Sequence, residues 1–596
     1  MDTLLNWVQG TGPSPFASIF SEGLAKRSNT PTGAYDQILG PDTSYADQRN
    51  RLWAVDRVLE EETVPHFLEF AITGELLSGR KTSLPILGEE IDYIQVPMTQ
   101  WAPAPYNTQE ISLVESLMHS IGSTEDHTRM IPITKELLAM KARIWEGIQP
   151  LSERRWTELG LDSPDHFHEA CAFISAATDV FNYLNIPEIK AMLRATYNLI
   201  WGHLNKFDKA LHGLQLDSTD PDFSMAALWH EYIHDHFGAI TNASHSWVID
   251  HLERLREPIL DIVSQDTSIT AFDVDDDYGE TLADLIHDLH QGIAEADSSI
   301  FIPMDGYQGG DLPSQDHVPG NTSYRYREDP IEFSASRDKR KPDYYFRVRY
   351  LSHRDGFKLE NLLQENSVSS NAKGQIVGER QARLELRGEP QAAVVPRWVA
   401  QARRHTKHDN PLHWGYIGYR TFYDHGEEEW ERFKTNFQAD ISNWGHELGD
   451  VDDIRALSVV EWRDAKDAMG NGLDGIAAAE KEFAALAEDE QFMESYHEHI
   501  FLVADEAVID SYLKANTTTS GHVMAVESGF NPEEEDPGRM EESPGYEGWL
   551  RLQGSLLWDD FSALMLMHTQ YPMELWPLAK DDPEKIYRHP FGPVKG

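Results

Sequence analysis

Two histidines and a glutamate stand together at His230-Glu231-Tyr232-Ile233-His234, inside the run AALWHEYIHDHFGAITNASHSWVIDHLERL. Histidines four residues apart share one face of a helix, where two imidazoles can hold a metal ion. A carboxylate between them can take the proton from a metal-bound water, which is the working arrangement of a zinc hydrolase. Residues 235–252 then lead to Glu253, whose carboxylate would complete a three-ligand set if a second helix folds back on the first. The expected roles are His230, His234 and Glu253 as zinc ligands and Glu231 as general base. The competing reading is a histidine-rich, half-exposed helix, since His236 and His245 lie in the same run and the chain has 26 histidines. Without a metal, and so with no cofactor, the helical part could instead house an isomerase or cyclase.

The His230, His234, Glu253 spacing resembles that of gluzincin aminopeptidases, and Phe237-Gly238 after the second histidine fits the same family. The resemblance implies zinc and a peptide substrate. The Gly-Ala-Met-Glu-Asn substrate loop of that family is absent upstream, and about 70 residues before the motif read as helical rather than as a β-rich domain. Tyr307 and Tyr324 are loose counterparts of its transition-state tyrosine.

Weaker motifs read more simply. Asp273-Val274-Asp275-Asp276 has the D-x-D-D form of a class II terpene cyclase proton donor, but acidic residues ahead of a helix are favoured by the helix dipole alone. Gly470-Asn471-Gly472-Leu473-Asp474-Gly475 matches G-x-G-x-x-G, yet the preceding strand ends near Trp462, too early for a dinucleotide loop. His497-Glu498-His499 reads as a strand entry. Cys171 lies on an apolar helix stripe and reads as a small buried hydrophobe.

Bulk properties exclude whole classes. With 51 basic against 100 acidic residues the net charge is −49, the opposite of a nucleic-acid footprint and repelled by anionic membranes. No apolar run is long enough to span a bilayer, and the first residues lack the pattern of a secretory signal. A single cysteine rules out an intrachain disulfide or a Cys-based cluster. The expected setting is cytoplasmic, with no nucleic acid and no membrane, a possible protein partner or homo-oligomer, and a small-molecule or peptide substrate. A non-catalytic acidic interaction or assembly protein is the alternative to an enzyme.

The elements that would position these residues fall into four stretches. Residues 1–130 are irregular and mixed, with a helical pattern over Asp47–Leu76 and a strand expected at Ile91–Val96. Residues 131–302 form a helical domain, with helices from Ser163-Pro164, from Pro187, over Phe223–Ile240, over Ser244–Val263 and over Glu280–Ala296. Residues 303–412 are a linker and mixed β segment. Residues 413–596 alternate strands (His413–Tyr423, Ala456–Trp462, Ile500–Ala504, His522–Glu527) with helices (Glu427–Trp444, Ile476–Leu486, Glu506–Leu513). The fold class is α+β: a helical bundle followed by an α/β sandwich, for whose C-terminal part a ferredoxin-like arrangement is one reading.

The C-terminal runs WGYIGYRTFYDHGEEEWERF, FLVADEAVIDSYL and YEGWLRLQGSLLWDDF resemble a large group of uncharacterised filamentous-fungal proteins. The resemblance extends over about half the chain and takes in the helical part from RRWTELGL. It implies a fungal cytosolic setting and supplies no catalytic residues.

Overall fold

The computed structural model describes residues 53–265 and 396–588 with short gaps, and a few positions over 289–302. The gaps are 89, 123–128, 164–165, 215–220, 407–413, 447, 449–450, 471–473, 488–495, 515–520, 536 and 581. The Asp273–Asp276 string, Tyr307, Tyr324 and nearly all of the expected Glu280–Ala296 helix lie outside the described residues.

A short antiparallel pair opens the described chain: β1 (Trp53–Arg57) against β2 (Met130–Thr134). The helical pattern expected from Asp47 yields here to a period of two, with Ala54 and Asp56 buried and Val55 and Arg57 half-exposed. Helix α1 (Thr63–Thr73) follows, and Gly74 closes it in the left-handed conformation at φ 71°. Ile91–Ile94 is a helical turn rather than the expected strand, because Ile91 and Ile94 three apart both reach the core.

Then come α2 (Leu113–Ile121), α3 (Lys135–Trp145), α4 (Glu153–Glu158), α5 (Phe167–Leu184), α6 (Pro187–Leu214) and α7 (Met225–Gln265). Ser112 caps α2 in a capping box with Glu115, Thr134 caps α3, and Ser152 caps α4. The helices α1, α2, α5, α6 and α7 bury one apolar core that runs from Val58 to Ile302.

The C-terminal half begins with α8 (Arg397–Thr406) and builds an α/β layer from β3 (Trp414–Arg420), α9 (Glu427–Ile441), β4 (Ser458–Asp464), α10 (Gly475–Ala487), β5 (Ile500–Ala504), α11 (Glu506–Leu513), β6 (His522–Glu527), β7 (Trp549–Gln553), α12 (Pro572–Ala579) and β8 (Ile586–Tyr587). Among the described residues these strands make one six-stranded sheet in the order β4-β3-β5-β6-β7-β8. β3 pairs in parallel with both β4 and β5, β5–β6 and β6–β7 are antiparallel, and β8 joins β7 in parallel. The whole is of the α+β class. A central parallel trio with an antiparallel extension is not the βαββαβ unit of a ferredoxin-like fold. β3 and β5 are buried on both faces, so their uninterrupted apolar runs are what such strands require.

The two halves meet across α3 and α4. Leu137, Met140 and Trp145 of α3 enter the first core while Ala139 enters the second. Charged groups stitch the same seam. Arg154 Nη2 donates to Asp440 Oδ1 at 2.5 Å, and Arg143 Nη2 lies 2.8 Å from Asp560 Oδ2. Asp560 sits in a π-helical turn over Leu557–Ser562.

Candidate functional site

Helix α7 runs unbroken from Met225 to Gln265, so the two helices expected at Phe223–Ile240 and Ser244–Val263 are one. The reason is phase. Trp229, Ile233, Phe237, Ile240, Ser244, Trp247, Val248, Leu252 and Leu255 are all buried, a stripe with helical period that passes straight through the break expected between Ile240 and Ser244. Trp247 Nε1 donates to Leu151 O at 3.1 Å and ties the second half of the helix to the start of α4.

That continuity decides the metal question for Glu253. At 1.5 Å of rise per residue, the nineteen positions from His234 to Glu253 span about 28 Å along the axis. Glu253 is buried near the Trp156 end of the helix and does not reach His230 or His234. The expected three-ligand set His230, His234, Glu253 is therefore not brought together. His230 and His234 do adjoin, with ring centroids 4.5 Å apart on a partly exposed face. Burial lowers the pKa of both, and for His234 the neighbouring His230 adds to the shift. Glu231, the expected base, is taken up by the strap between Gly74 and Leu87: Thr82 Oγ1 donates to its Oε2 at 2.5 Å. Beside it, Ser78 Oγ and Arg80 Nη2 reach Asp235 Oδ1 at 2.5 and 2.9 Å. Among the described residues no group of three or more His, Cys, Asp or Glu side chains is arranged to hold a metal ion.

The chemistry on α7 lies on its other face. His236 is 1% exposed, and neither ring nitrogen has a hydrogen-bond partner among the described residues. Its ring stacks on Tyr232, one turn earlier, at 5.6 Å and 15°, and stands 5.5 Å from Trp145. Glu146, immediately after α3, faces the same place and is equally buried. Its Oε2 lies 2.9 Å from His66 Nε2 of α1, while Oε1 has no hydrogen-bond partner among the described residues. From the far half, Arg397 Nη2 at the start of α8 donates to His66 O at 3.0 Å and to Glu69 Oε2 at 3.1 Å. Four elements thus deliver His66, Glu69, Glu146, Tyr232, His236 and Arg397 to one buried place.

Desolvation sets the protonation states there. Burial pushes the Glu146 carboxyl up to about 7, against smaller lowering effects of Arg397 and His236. Burial takes His236 down to about 3, opposed by Glu146, so its imidazole is neutral at any ordinary pH. The Tyr232 hydroxyl is raised, chiefly by burial. A carboxyl poised near neutrality beside a neutral imidazole is the pairing that acid–base catalysis uses.

The remaining sequence motifs acquire simple roles. Cys171 is buried in the first core. Gly475 opens α10 packed against Thr421, while 471–473 lie outside the described residues. His499 is exposed at the entry to β5. No described helix is long and apolar enough to cross a membrane. No protein-family model, no curated protein and no solved structure matches the chain.

Proposed function

We propose that the helical half carries a metal-free acid–base site, with Glu146 moving a proton and His236 as a neutral hydrogen-bond donor. The reaction class is proton transfer next to a carbonyl, as in an isomerase or cyclase. The observation that carries it is the burial together of Glu146 and an unpartnered His236, with His66 2.9 Å from the carboxylate. In such a step ionised Glu146 takes a C–H proton from the carbon beside the carbonyl. The electron pair moves to the carbonyl oxygen, where an N–H of His236 donates a hydrogen bond to the resulting oxyanion. Protonated Glu146 then returns the proton at the same or a conjugated carbon, and nothing is oxidised or reduced. The rings packed on Tyr232 and His236 (Phe67, Phe70, Trp145 and Phe237) favour a substrate with an apolar body and one polar end.

The test is deuterium exchange. Small ketones and 2-oxo acids are incubated with the protein in D2O and followed by proton NMR. Exchange beside the carbonyl is expected with the wild type, and Glu146→Gln should slow it by about 10²–10⁴-fold, the usual worth of a general base. Equal exchange rates for wild type and variant would overturn the reading.

A second reading, a zinc-dependent hydrolase of peptide-like substrates, is favoured by the 4.5 Å approach of the His230 and His234 rings. It would need its remaining ligands from elsewhere than Glu253. Stoichiometric zinc in protein purified without chelator, lost in a His230→Ala, His234→Ala variant, is its signature; its absence removes it. For setting, the single cysteine and the net charge of −49 support a cytoplasmic protein that binds no nucleic acid.

A further inference from the structure

A second place in the molecule holds buried polar atoms whose bonds are unmade. On β6 and β7, His522 pairs in register with Gln553 and Met524 with Arg551. Cross-strand partners and residues two apart share a face, so His522, Gln553 and Arg551 project from the same side of the sheet. His522 Nε2, Gln553 Oε1 and Arg551 Nε are all buried, and none has a hydrogen-bond partner among the described residues. A buried polar atom left without a partner is costly, so three on one patch point to a missing companion.

The surroundings define what that companion is. Arg551 Nη2 pairs with Asp505, the cap of α11, and Arg588 Nε pairs with Asp582 Oδ2 at 3.0 Å. Both pairs influence His522 electrostatically. Gln553 Nε2 is already committed, to Glu158 Oε2 at 3.2 Å and Ser555 Oγ at 3.1 Å, which leaves its Oε1 as an acceptor. Asp505 and Arg551 are partly exposed, so the patch borders solvent on that side. It also lies at the carboxyl ends of β5 and β7, the end of the sheet where open α/β folds take ligands.

We propose that this patch binds a small 2-hydroxy or 2-amino carboxylate. Its carboxylate accepts from Arg551 Nε–H and from the Nε2–H tautomer of His522. Its neighbouring hydroxyl or ammonium donates to Gln553 Oε1. Two donors and one acceptor match that ligand class and leave no orphan behind. The site is independent of the Glu146 cluster, which lies in the other core.

Calorimetric titration of the full chain tests it with glycolate, L-alanine and acetate, the last lacking the donating group. Glycolate or L-alanine should bind with Kd in the millimolar range or tighter, and acetate at least tenfold more weakly. Gln553→Leu removes the acceptor for the hydroxyl or ammonium and should weaken binding of glycolate and L-alanine at least tenfold. His522→Gln, which keeps a donor, should retain most of the affinity that His522→Leu loses, and circular dichroism of each variant separates misfolding from lost binding. No binding by any probe, or a crystal structure with one water satisfying all three atoms after soaking with glycolate, overturns the proposal.

Discussion

Thr82 Oγ1 donates a 2.5 Å hydrogen bond to Glu231 Oε2, joining a strap between α1 and α2 to the exposed side of α7. The carboxylate between the two histidines is thus an anchor for a loop. Thr82→Val should lower stability by about 1 kcal/mol, the net worth of one such bond. Asp235→Asn should cost more, about 1–2 kcal/mol, because it weakens contacts from Ser78 and Arg80 together. Urea unfolding midpoints measure both. Unchanged midpoints would show that the strap does not depend on these bonds.

The buried pair Lys141 and Asp56 gives a sharper outcome. Lys141 Nζ donates to Asp56 Oδ1 at 2.8 Å and to Glu60 Oε1 at 2.6 Å, and Tyr183 Oη donates to Asp56 Oδ2 at 2.5 Å. Burial holds the Asp56 carboxyl up near 6 even so. Lys141→Met strands that carboxyl without its cation and should destabilise by about 3–5 kcal/mol. The double variant Lys141→Met, Asp56→Leu should recover a good part of the loss in the same unfolding experiment. If it is no better than the single one, the charge is not what the lysine was there to match.

The pH dependence of stability should carry opposed signatures of Glu146 and His236. Glu146 titrates near 7 when folded, against 4.5 as its ordinary value. Between those values the folded state holds a proton that the unfolded chain has lost, so stability falls as the pH rises through the window. The loss is on the order of 3 kcal/mol and is complete above pH about 7. His236, near 3 when folded against an ordinary 6.5, acts the other way: the unfolded chain takes up the proton first, and stability falls as the pH drops below about 6.5. The two slopes oppose each other between pH about 4.5 and 6.5. Glu146→Gln should therefore gain on the wild type between pH 5 and pH 8, and a difference that stays constant over that span would contradict the buried assignment of Glu146.

Gly415 shows how little room the second core allows. Its φ is +148°, and a Cβ placed there would stand 2.0 Å from Val459 O of the neighbouring strand. β3 is held on both edges by β4 and β5 and cannot shift away. Gly415→Ala should cost at least about 3 kcal/mol and lower the melting temperature by several degrees. A variant that melts with the wild type would mean the sheet adjusts at this point.

The C-terminal elements were legible because each was locally consistent. β5, α11 and β6 fall at Ile500–Ala504, Glu506–Leu513 and His522–Glu527, where their short apolar runs mark them out. Their order in the sheet was not legible, since strand pairing is a long-range choice that nearest neighbours do not encode. Of the candidate site, one piece was present in the chain all along. At about 100° per residue, His236 falls between Tyr232 and Ile240 within the buried arc, whereas His230 and His234 stand beyond its Phe237 edge. Motif spacing drew attention to the marginal pair and the wheel position pointed to the buried histidine. Glu146, His66 and Arg397 carried no comparable signal, being single polar residues on three separate elements.

The acidic, single-cysteine character of the chain, its α+β class and the inward face of α7 follow from the amino acids alone, because composition and periodicity act locally. That α7 continues through Ser244 comes from packing between distant elements. The packing of Trp247 and Leu252 into the first core carries the helix through the expected break. That one outcome sets Glu253 apart from His230 and His234. Packing between distant elements also decided that α3, α1 and α8 converge on His236, since burying their apolar faces together brings Glu146, His66 and Arg397 to that histidine.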